Sequence, residues 1–420
     1  MRYLYNLFCY ILVPFVLLRL LWQSRKVPGY RHRVRERFGY FNIPERYQHG
    51  IWVHAVSVGE TLVAVPLIRV IQARHPHLPI TLTNMTPTGA ERAKALLGDT
   101  VFHLHVPYDL PNVVLRFLKK VKPRLLILIE TELWPNMLHY CHAAQIKILL
   151  ANARLSERSA KRYARISKTA RIMLHQLDAI AAQTEDDAKR FENLGAPSNR
   201  IHVTGSIKFD MEIPASALEG RDVLRVQLGV STQIWIAAST HLGEEKSILE
   251  AFLKVRERFP NCLLILVPRH PERALDIVKL CRAQALSVAL CSKNEFRDQA
   301  VLLVDIMGKL MSFYSVAHVA FVGGSLVSIG GHNLLEPALF SLPIISGSHL
   351  FNFAQASDLL QKAHALTIVN DEKELAHEVI RFLENKKLSE EYGRRAYQVV
   401  TENRGALDRH IKIILALLKI

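Results

Sequence analysis

From residue 50 onward, short β-branched or apolar runs alternate with longer stretches of helical spacing, which confines the chain to repeated β-α-β units on parallel sheets. Strand candidates fall at residues 51–56, 80–85, 101–106, 125–130, 146–151, 178–183 and 201–205. A second series falls at 235–239, 263–268, 286–291, 300–305, 319–324 and 342–346. Between the two series, residues 208–230 lack a strand period and contain Pro214, so they read as a linker. The expectation is an α/β protein with two doubly wound domains, residues 26–207 and 231–420, and half of its 420 residues are apolar, enough for a large core in each. Ligands of such sheets lie beyond the carboxyl ends of the strands, and two such edges facing one another across a cleft are expected. No internal repeat beyond this loose likeness of the two halves is present, and no low-complexity tract.

Residues 7–22, LFCYILVPFVLLRLLW, form an almost unbroken apolar run interrupted by Pro14 and Arg19. The basic residues Arg25, Lys26, Arg31, Arg33, Arg35 and Arg37 follow at once. Residues 1–25 are therefore assigned as a membrane anchor. The run is short for a full span and Arg19 must snorkel, so shallow or tilted insertion competes with spanning. The positive flank places the following domain on the cytoplasmic face, against anionic lipid. A cleaved signal peptide is the main alternative, but no A-x-A-like site follows Trp22. A core helix buried in a partner is another.

Lys and Arg outnumber Asp and Glu by 54 to 38, a net charge of +16 that calls for an anionic partner: nucleic acid, a phospholipid surface or a phosphorylated substrate. The basic residues form no long tract and no zinc-finger or RNP segment occurs, so no nucleic-acid partner is expected. Five scattered cysteines without CxxC spacing point to a reducing compartment and to buried structural thiols.

Chemistry-bearing residues gather at the ends of the apolar runs. The first run ends in Ser57-Val58-Gly59-Glu60, where glycine lets backbone approach a ligand and a carboxylate can take a proton from an attacking hydroxyl. An acid placed there only to suit the start of a helix is the competing explanation. The fourth run ends in Glu130-Thr131-Glu132-Leu133-Trp134-Pro135-Asn136. Two acids there need hydrogen bonds, cations or a solvated cleft, and on a strand they point the same way. A purely structural network remains open for them. Lys208, in Gly205-Ser206-Ile207-Lys208-Phe209-Asp210, offers a point charge for phosphate or carboxylate, and Arg269, in Pro268-Arg269-His270-Pro271, suits a bidentate anion contact. Ordinary surface cations are the alternative for both. Gly323-Gly324-Ser325 ends a further run, and Gly330-Gly331-His332-Asn333-Leu334-Leu335-Glu336-Pro337 follows as a glycine-rich turn into a helix. Exposed N–H groups at that helix start are expected to bind an anion, with an acid one turn in to grip ribose hydroxyls. A plain tight turn is the competing explanation. The turn is neither a Walker loop nor GxGxxG, and with no Asp-x-Asp, no HExxH and no ligand-spaced histidines, no metal is expected.

Nine segments in register, SVGE (57–60), MTPTG (85–89), ETELWPN (130–136), NARLS (152–156), GSIKFD (205–210), STH (239–241), PRHPER (268–273), FVGGSL (321–326) and GGHNLLEP (330–337), resemble the 3-deoxy-D-manno-octulosonic acid (Kdo) transferases of lipopolysaccharide synthesis. The resemblance runs nearly end to end, N-terminal anchor included. It implies a GT-B fold of two Rossmann-like domains facing a cleft. It also implies inverting transfer from CMP-Kdo to a lipid A precursor (lipid IVA), without metal or cofactor, at the cytoplasmic side of a bacterial inner membrane. By the same resemblance Glu60 is the base, while Glu130 and Lys208 stabilise the transition state. CMP is then held by Arg269 and His270, by Met307, Gly308 and Lys309, and by Asn333, Leu334, Leu335 and Glu336. Two positions depart from the family pattern: Lys309 stands where Glu is common, and Leu334 where Pro is common. Neither removes a backbone donor. Rival readings are another GT-B enzyme using a UDP- or GDP-sugar on a lipid acceptor, and a non-catalytic scaffold that binds anionic lipid.

Overall fold

The computed structural model describes residues 2–25, 28–294, 296 and 299–420; Met1 of the anchor segment and Lys26 of its basic flank lie outside the described residues. The first sheet holds β1 (Ile51–His54), β2 (Ile80–Asn84), β3 (Phe102–His105), β4 (Leu125–Ile129), β5 (Lys147–Ala153), β6 (Ala179–Ala182) and β7 (Ile201–Val203). All pairings are parallel, in the order β3-β2-β1-β4-β5-β6-β7. The second sheet holds β8 (Ile234–Thr240), β9 (Leu263–Pro268), β10 (Val288–Leu290), β11 (Val301–Leu303), β12 (Val319–Val322), β13 (Ile344–Ser346) and β14 (Leu366–Ile368). It is parallel too, in the order β10-β11-β9-β8-β12-β13-β14. The strand order reverses between β1 and β4 in one sheet and between β8 and β12 in the other, where doubly wound sheets open a crevice at their carboxyl edge.

The unbroken apolar runs follow from cover on both faces. Successive strand residues point to opposite sides, so Ile51 and Val53 join a core with Leu67 and Ile68, while Trp52 between them joins another with Phe117 and Leu138. Trp52 is fully buried, and its indole N–H donates to Thr83 Oγ1 at 2.9 Å, so the one polar atom of the ring is satisfied. In the second sheet Trp235 and Ala237 face Ile248 and Phe252, while Ile234 and Ile236 face Phe313 and Tyr314.

The chain divides into one unit of Met1–Asp210 with Arg404–Ile420 and another of Met211–Asn403. This corrects the expected domain 231–420, because its last segment returns to the first unit. Ala406, Ile411, Ile414 and Leu418 of the helix Ala406–Leu418 complete the core beneath β1 and β4. An amphipathic helix declares that it needs an apolar surface, not which one. The expected linker 208–230 also differs, since it carries the helices Ala215–Glu219 and Arg221–Gln227, with Leu224 and Leu228 packed into the second unit. Strand β14 has no counterpart among the sequence expectations. It is a three-residue edge strand of which only Leu366 is buried, too short to show a period.

The helix Arg2–Gln23 is long and apolar enough to cross a membrane. Its half-buried residues, among them Tyr5, Cys9, Leu12, Val16 and Leu20, recur along one side, whereas Leu7, Phe8, Ile11, Phe15, Leu18 and Trp22 are exposed. Tyr5 donates to Asp109 Oδ2 and Tyr10 to Asn112 Oδ1, both at 2.9 Å. The first turns of the helix thus lie against their own unit.

Backbone approach in the second unit is closest at Gly393 of the helix Lys386–Glu402, where an added methyl would sit 1.8 Å from the Ser341 carbonyl oxygen. On an open helix face Gly→Ala stabilises by about 1 kcal/mol. At Gly393 the sign reverses: Gly393→Ala is expected to destabilise by about 1–3 kcal/mol, read as a lowered melting temperature.

Candidate active site

In the first unit the loops after β1, β2, β4, β5 and β7 leave from one carboxyl edge, because every strand is parallel. Ser57 ends the loop after β1 and caps the helix Val58–Arg74, its Oγ accepting from the Glu60 N–H at 3.3 Å. Glu60 reaches back over the cap, with Oε1 accepting from Ser57 Oγ at 2.8 Å and Oε2 from the Val56 N–H at 2.6 Å. Its side chain is locked and only 7% exposed. Burial is the largest influence on its carboxyl, which is raised to about 7; the Val56 and Ser57 bonds oppose the rise, and the neighbouring Glu132 and Glu130 add to it. An acid titrating there is half ionised at neutral pH, the condition a general base needs. Helix capping and base chemistry, alternatives on sequence grounds, are compatible in one carboxylate.

Asn84, at the end of β2, fixes the loop by donating to Ala55 O at 2.6 Å and to Thr61 Oγ1 at 2.8 Å. An added methyl at Gly89 would lie 2.9 Å from Thr86 Oγ1 and 3.5 Å from the Ser57 carbonyl carbon, so MTPTG packs directly on SVGE.

Strand β4 ends at Ile129, and Glu130 takes a left-handed backbone with φ of 62°. The expectation that Glu130 and Glu132 share one face of an extended strand therefore does not hold. The turn is imposed by hydrogen bonding: Glu130 N–H donates to Ala151 O at 2.9 Å, and Thr131 Oγ1 donates to Arg154 O. A non-glycine residue in this region persists only where its surroundings over-determine it. Lys208 Nζ lies 3.3 Å from Glu130 Oε1, so two residues 78 apart in sequence form an ion pair. Glu132 instead accepts from Trp134 Nε1 at 2.8 Å, and burial raises its carboxyl above the ordinary range.

In the second unit Arg269 follows β9 with its N–H on Thr240 O at 2.9 Å, and its exposed guanidinium has no ion-pair partner among the described residues. His270, also exposed, is 3.3 Å from Glu272. Met307, Gly308 and Lys309 form an exposed turn after β11, in which Gly308 has φ of 85°. Asn333 Oδ1 accepts from the Leu335 N–H at 3.1 Å, and its amide donates to Glu336 Oε1 at 3.2 Å. Burial raises the Glu336 carboxyl to about 6, against the pull of Asn333 and Arg269.

The expected anion site of free N–H groups is altered here. The N–H groups of Gly330 and Gly331 both donate to Gly324 O, and the helix Leu335–Leu339 is a single short turn whose Leu335 N–H already serves Asn333. The turn after β12 does contain an anion cradle, but the chain fills it with its own carboxylate. Glu244, fully buried, accepts from the N–H groups of His241, Gly324, Ser325 and Leu326 at 2.6–2.9 Å. Its neighbour Glu245 holds Arg273 through two bonds of 2.7 and 3.0 Å. His241 Nε2 and His332 Nε2 are 2.8 Å apart, so one ring donates to the other, and His332 is lowered to about 4 by burial first and then by its neighbours His241 and Arg269. Sequence reasoning missed Glu244, Glu245 and the two histidines as a group. Two acids opening a helix look like solvated first-turn residues, and nothing local signals that they will be buried.

A sequence profile described as 3-deoxy-D-manno-octulosonic-acid transferase (Kdo transferase) matches residues 32–211. The 3-deoxy-D-manno-octulosonic acid transferase of Haemophilus influenzae is 42% identical over 417 residues, 98% of each chain. That of Bordetella pertussis is 36% identical over 319 residues, 73% of each. Among solved structures, the UDP-GlcNAc 2-epimerase of Neisseria meningitidis matches 87% of this chain and all of its own with a TM-score of 0.59 at 12% identity, a likeness of fold alone.

The raised Glu60 carboxyl has a thermodynamic consequence. Between its ordinary value of 4.5 and about 7 the folded state holds the proton more tightly than the unfolded state, so stability present at low pH is lost as pH rises through that window. Across the window the group accounts for a loss on the order of 3 kcal/mol. Melting temperatures from pH 4.5 to 8 should fall less steeply for Glu60→Gln than for the native chain; parallel slopes would contradict the shift.

Proposed function

The chain belongs to the Kdo transferase family, a glycosyltransferase family of lipopolysaccharide synthesis, and on that premise we propose that it moves Kdo from CMP-Kdo to the lipid A precursor lipid IVA with inversion at the anomeric carbon. The observation that carries the mechanism is the Glu60 carboxylate: buried, locked at the carboxyl end of β1, and titrating at about 7. Glu60 takes the proton from the primary hydroxyl of the acceptor glucosamine as that oxygen attacks Kdo, and CMP departs. The Ser57 hydroxyl and the Val56 N–H aim the carboxylate without neutralising it. Lys208 offsets negative charge on the sugar carboxylate and the leaving phosphate, and Glu130 holds its ammonium in place. In the second unit Arg269, with no ion-pair partner among the described residues, is free for the phosphate. Glu336 accepts from ribose hydroxyls, His270 stands beside Arg269, and the turns Met307–Lys309 and Asn333–Glu336 cradle the nucleotide.

The acceptor is a lipid, and the exposed apolar side of the helix Arg2–Gln23 supports attachment to an anionic membrane surface at the cytoplasmic side of the inner membrane. Asp109, which receives Tyr5, also accepts from the N–H groups of Asn136 and Met137 at 2.9 and 2.7 Å. The anchor is thereby tied to the helix that begins just after Glu130–Trp134. A helix held against its own unit suits a place in the plane of one leaflet better than a crossing.

Glu60→Gln is expected to lower kcat by about 10²–10⁴ while CMP still binds. The native enzyme's kcat/KM should rise through about pH 7. Native turnover in Glu60→Gln would overturn the base assignment. CMP should inhibit and UDP or GDP should not; the reverse would establish a different donor. Mass spectrometry of products from CMP-Kdo and the tetra-acylated precursor tests donor, acceptor and the number of Kdo residues added together. For the anchor, Leu7→Glu with Phe15→Glu should release the protein from anionic vesicles, whereas Tyr5→Phe should leave binding intact and lower turnover on vesicle-borne acceptor. Retention of the double variant on vesicles would refute the leaflet-facing side.

A further inference from the structure

The Lys208–Glu130 pair hangs from a chain of buried hydrogen bonds that ends in the last helix of the protein. Lys208 lies in the single turn Ile207–Asp210, whose first N–H donates to Asn152 Oδ1 at 3.0 Å. Asn152 is fully buried, with φ of 52°, a left-handed conformation that asparagine tolerates better than most residues. Its carbonyl accepts from Gln183 Nε2 at 2.8 Å, and its N–H donates to Nε2 of His410 at 2.9 Å. His410 is fully buried in the helix Ala406–Leu418 and turns its other ring nitrogen to Ala406 O at 2.7 Å, which fixes the tautomer that leaves Nε2 an acceptor. The opposite end of the Lys208 turn is held from the same helix. Both carboxylate oxygens of Asp210 accept from its first turn, one from the Gly405 N–H and one from the Leu407 N–H. Arg409 Nε donates to Thr204 O at 2.7 Å, just upstream. Glu130 shares the support, since its N–H donates to Ala151 O, one residue before Asn152. Asn152, Asp210 and His410 thus hold the Lys208 turn at both of its ends.

We propose that Asn152, Asp210 and His410 are positioning residues for the Lys208–Glu130 pair, so that the carboxyl-terminal helix, returning to the first unit after the whole second unit has been threaded, sets the turnover of the active site. The inference rests on Lys208 and Glu130 acting in the transfer step. It differs from a simple stability role because its effect falls on a charge used in the transition state and not on ground-state binding of the nucleotide. Misplacement of such a group by a fraction of an ångström is costly to kcat.

The test uses the full chain in detergent with CMP-Kdo and lipid IVA. His410→Leu removes the acceptor of the Asn152 N–H, whereas His410→Gln returns an oxygen near the place of Nε2. His410→Leu is expected to lower kcat about 10-fold or more with the KM for CMP-Kdo within twofold of native, and His410→Gln to recover most of the loss. Asp210→Asn, a half-buried and conservative change, serves where His410→Leu fails to fold. Its amide cannot accept from both N–H groups, so kcat should fall several-fold at unchanged KM. Undiminished kcat in both His410→Leu and Asp210→Asn, with Lys208→Ala inactive, sinks the positioning role alone. A parallel loss of kcat, KM and melting temperature that His410→Gln does not rescue also sinks it. Native turnover in Lys208→Ala sinks the role of the pair itself, and the inference with it.

Discussion

Both sheets are covered on two faces, and that constraint organises the rest of the molecule. Strands β1, β4, β9 and β12 are buried along their whole length, so charged groups gather where strands end. Because all pairings are parallel, the ends with loops leading into helices fall on one edge of each sheet. Glu60, Glu130 and Lys208 stand at that edge in the first unit; Arg269, Met307 and Glu336 stand at it in the second. The chemistry is confined to these edges because the interior is closed to it.

Carboxylates at such edges serve two opposite ends. Glu244 accepts from four backbone N–H donors and thereby fixes the turn after β12. Glu60 has two donors, is buried beside two further acids, and is raised to about 7. Burial first, and then the two acidic neighbours, raises Glu60 against its two donors. One acid clamps a turn of the fold, and the other keeps a proton equilibrium that catalysis can use.

Much of the architecture was legible in the sequence. The thirteen strand candidates correspond to β1–β13, because an apolar run bounded by turn residues can hardly be anything else once such runs repeat at β-α-β spacing. The candidate site was legible as a set of strand-end motifs, and resemblance to a family implied roles for Glu60, Glu130 and Lys208. Less legible were the features that depend on distant partners. Glu130 leaves the strand because Ala151 and Arg154 draw its loop over, and Glu244 is buried because Gly324–Leu326 closes on it.

The sequence by itself determined that this chain builds two parallel sheets with charged motifs at their ends and carries an apolar helix at its start. These properties depend on local patterning, and periodicity reports them directly. Only the tertiary structure decided that residues 404–420 belong with residues 1–210, that Lys208 meets Glu130, and that Asp210 and His410 hold the turn between them. Each of these is a contact between residues some 80 to 260 positions apart, where an apolar face or a lone charge shows its need for a partner but not which partner it will find.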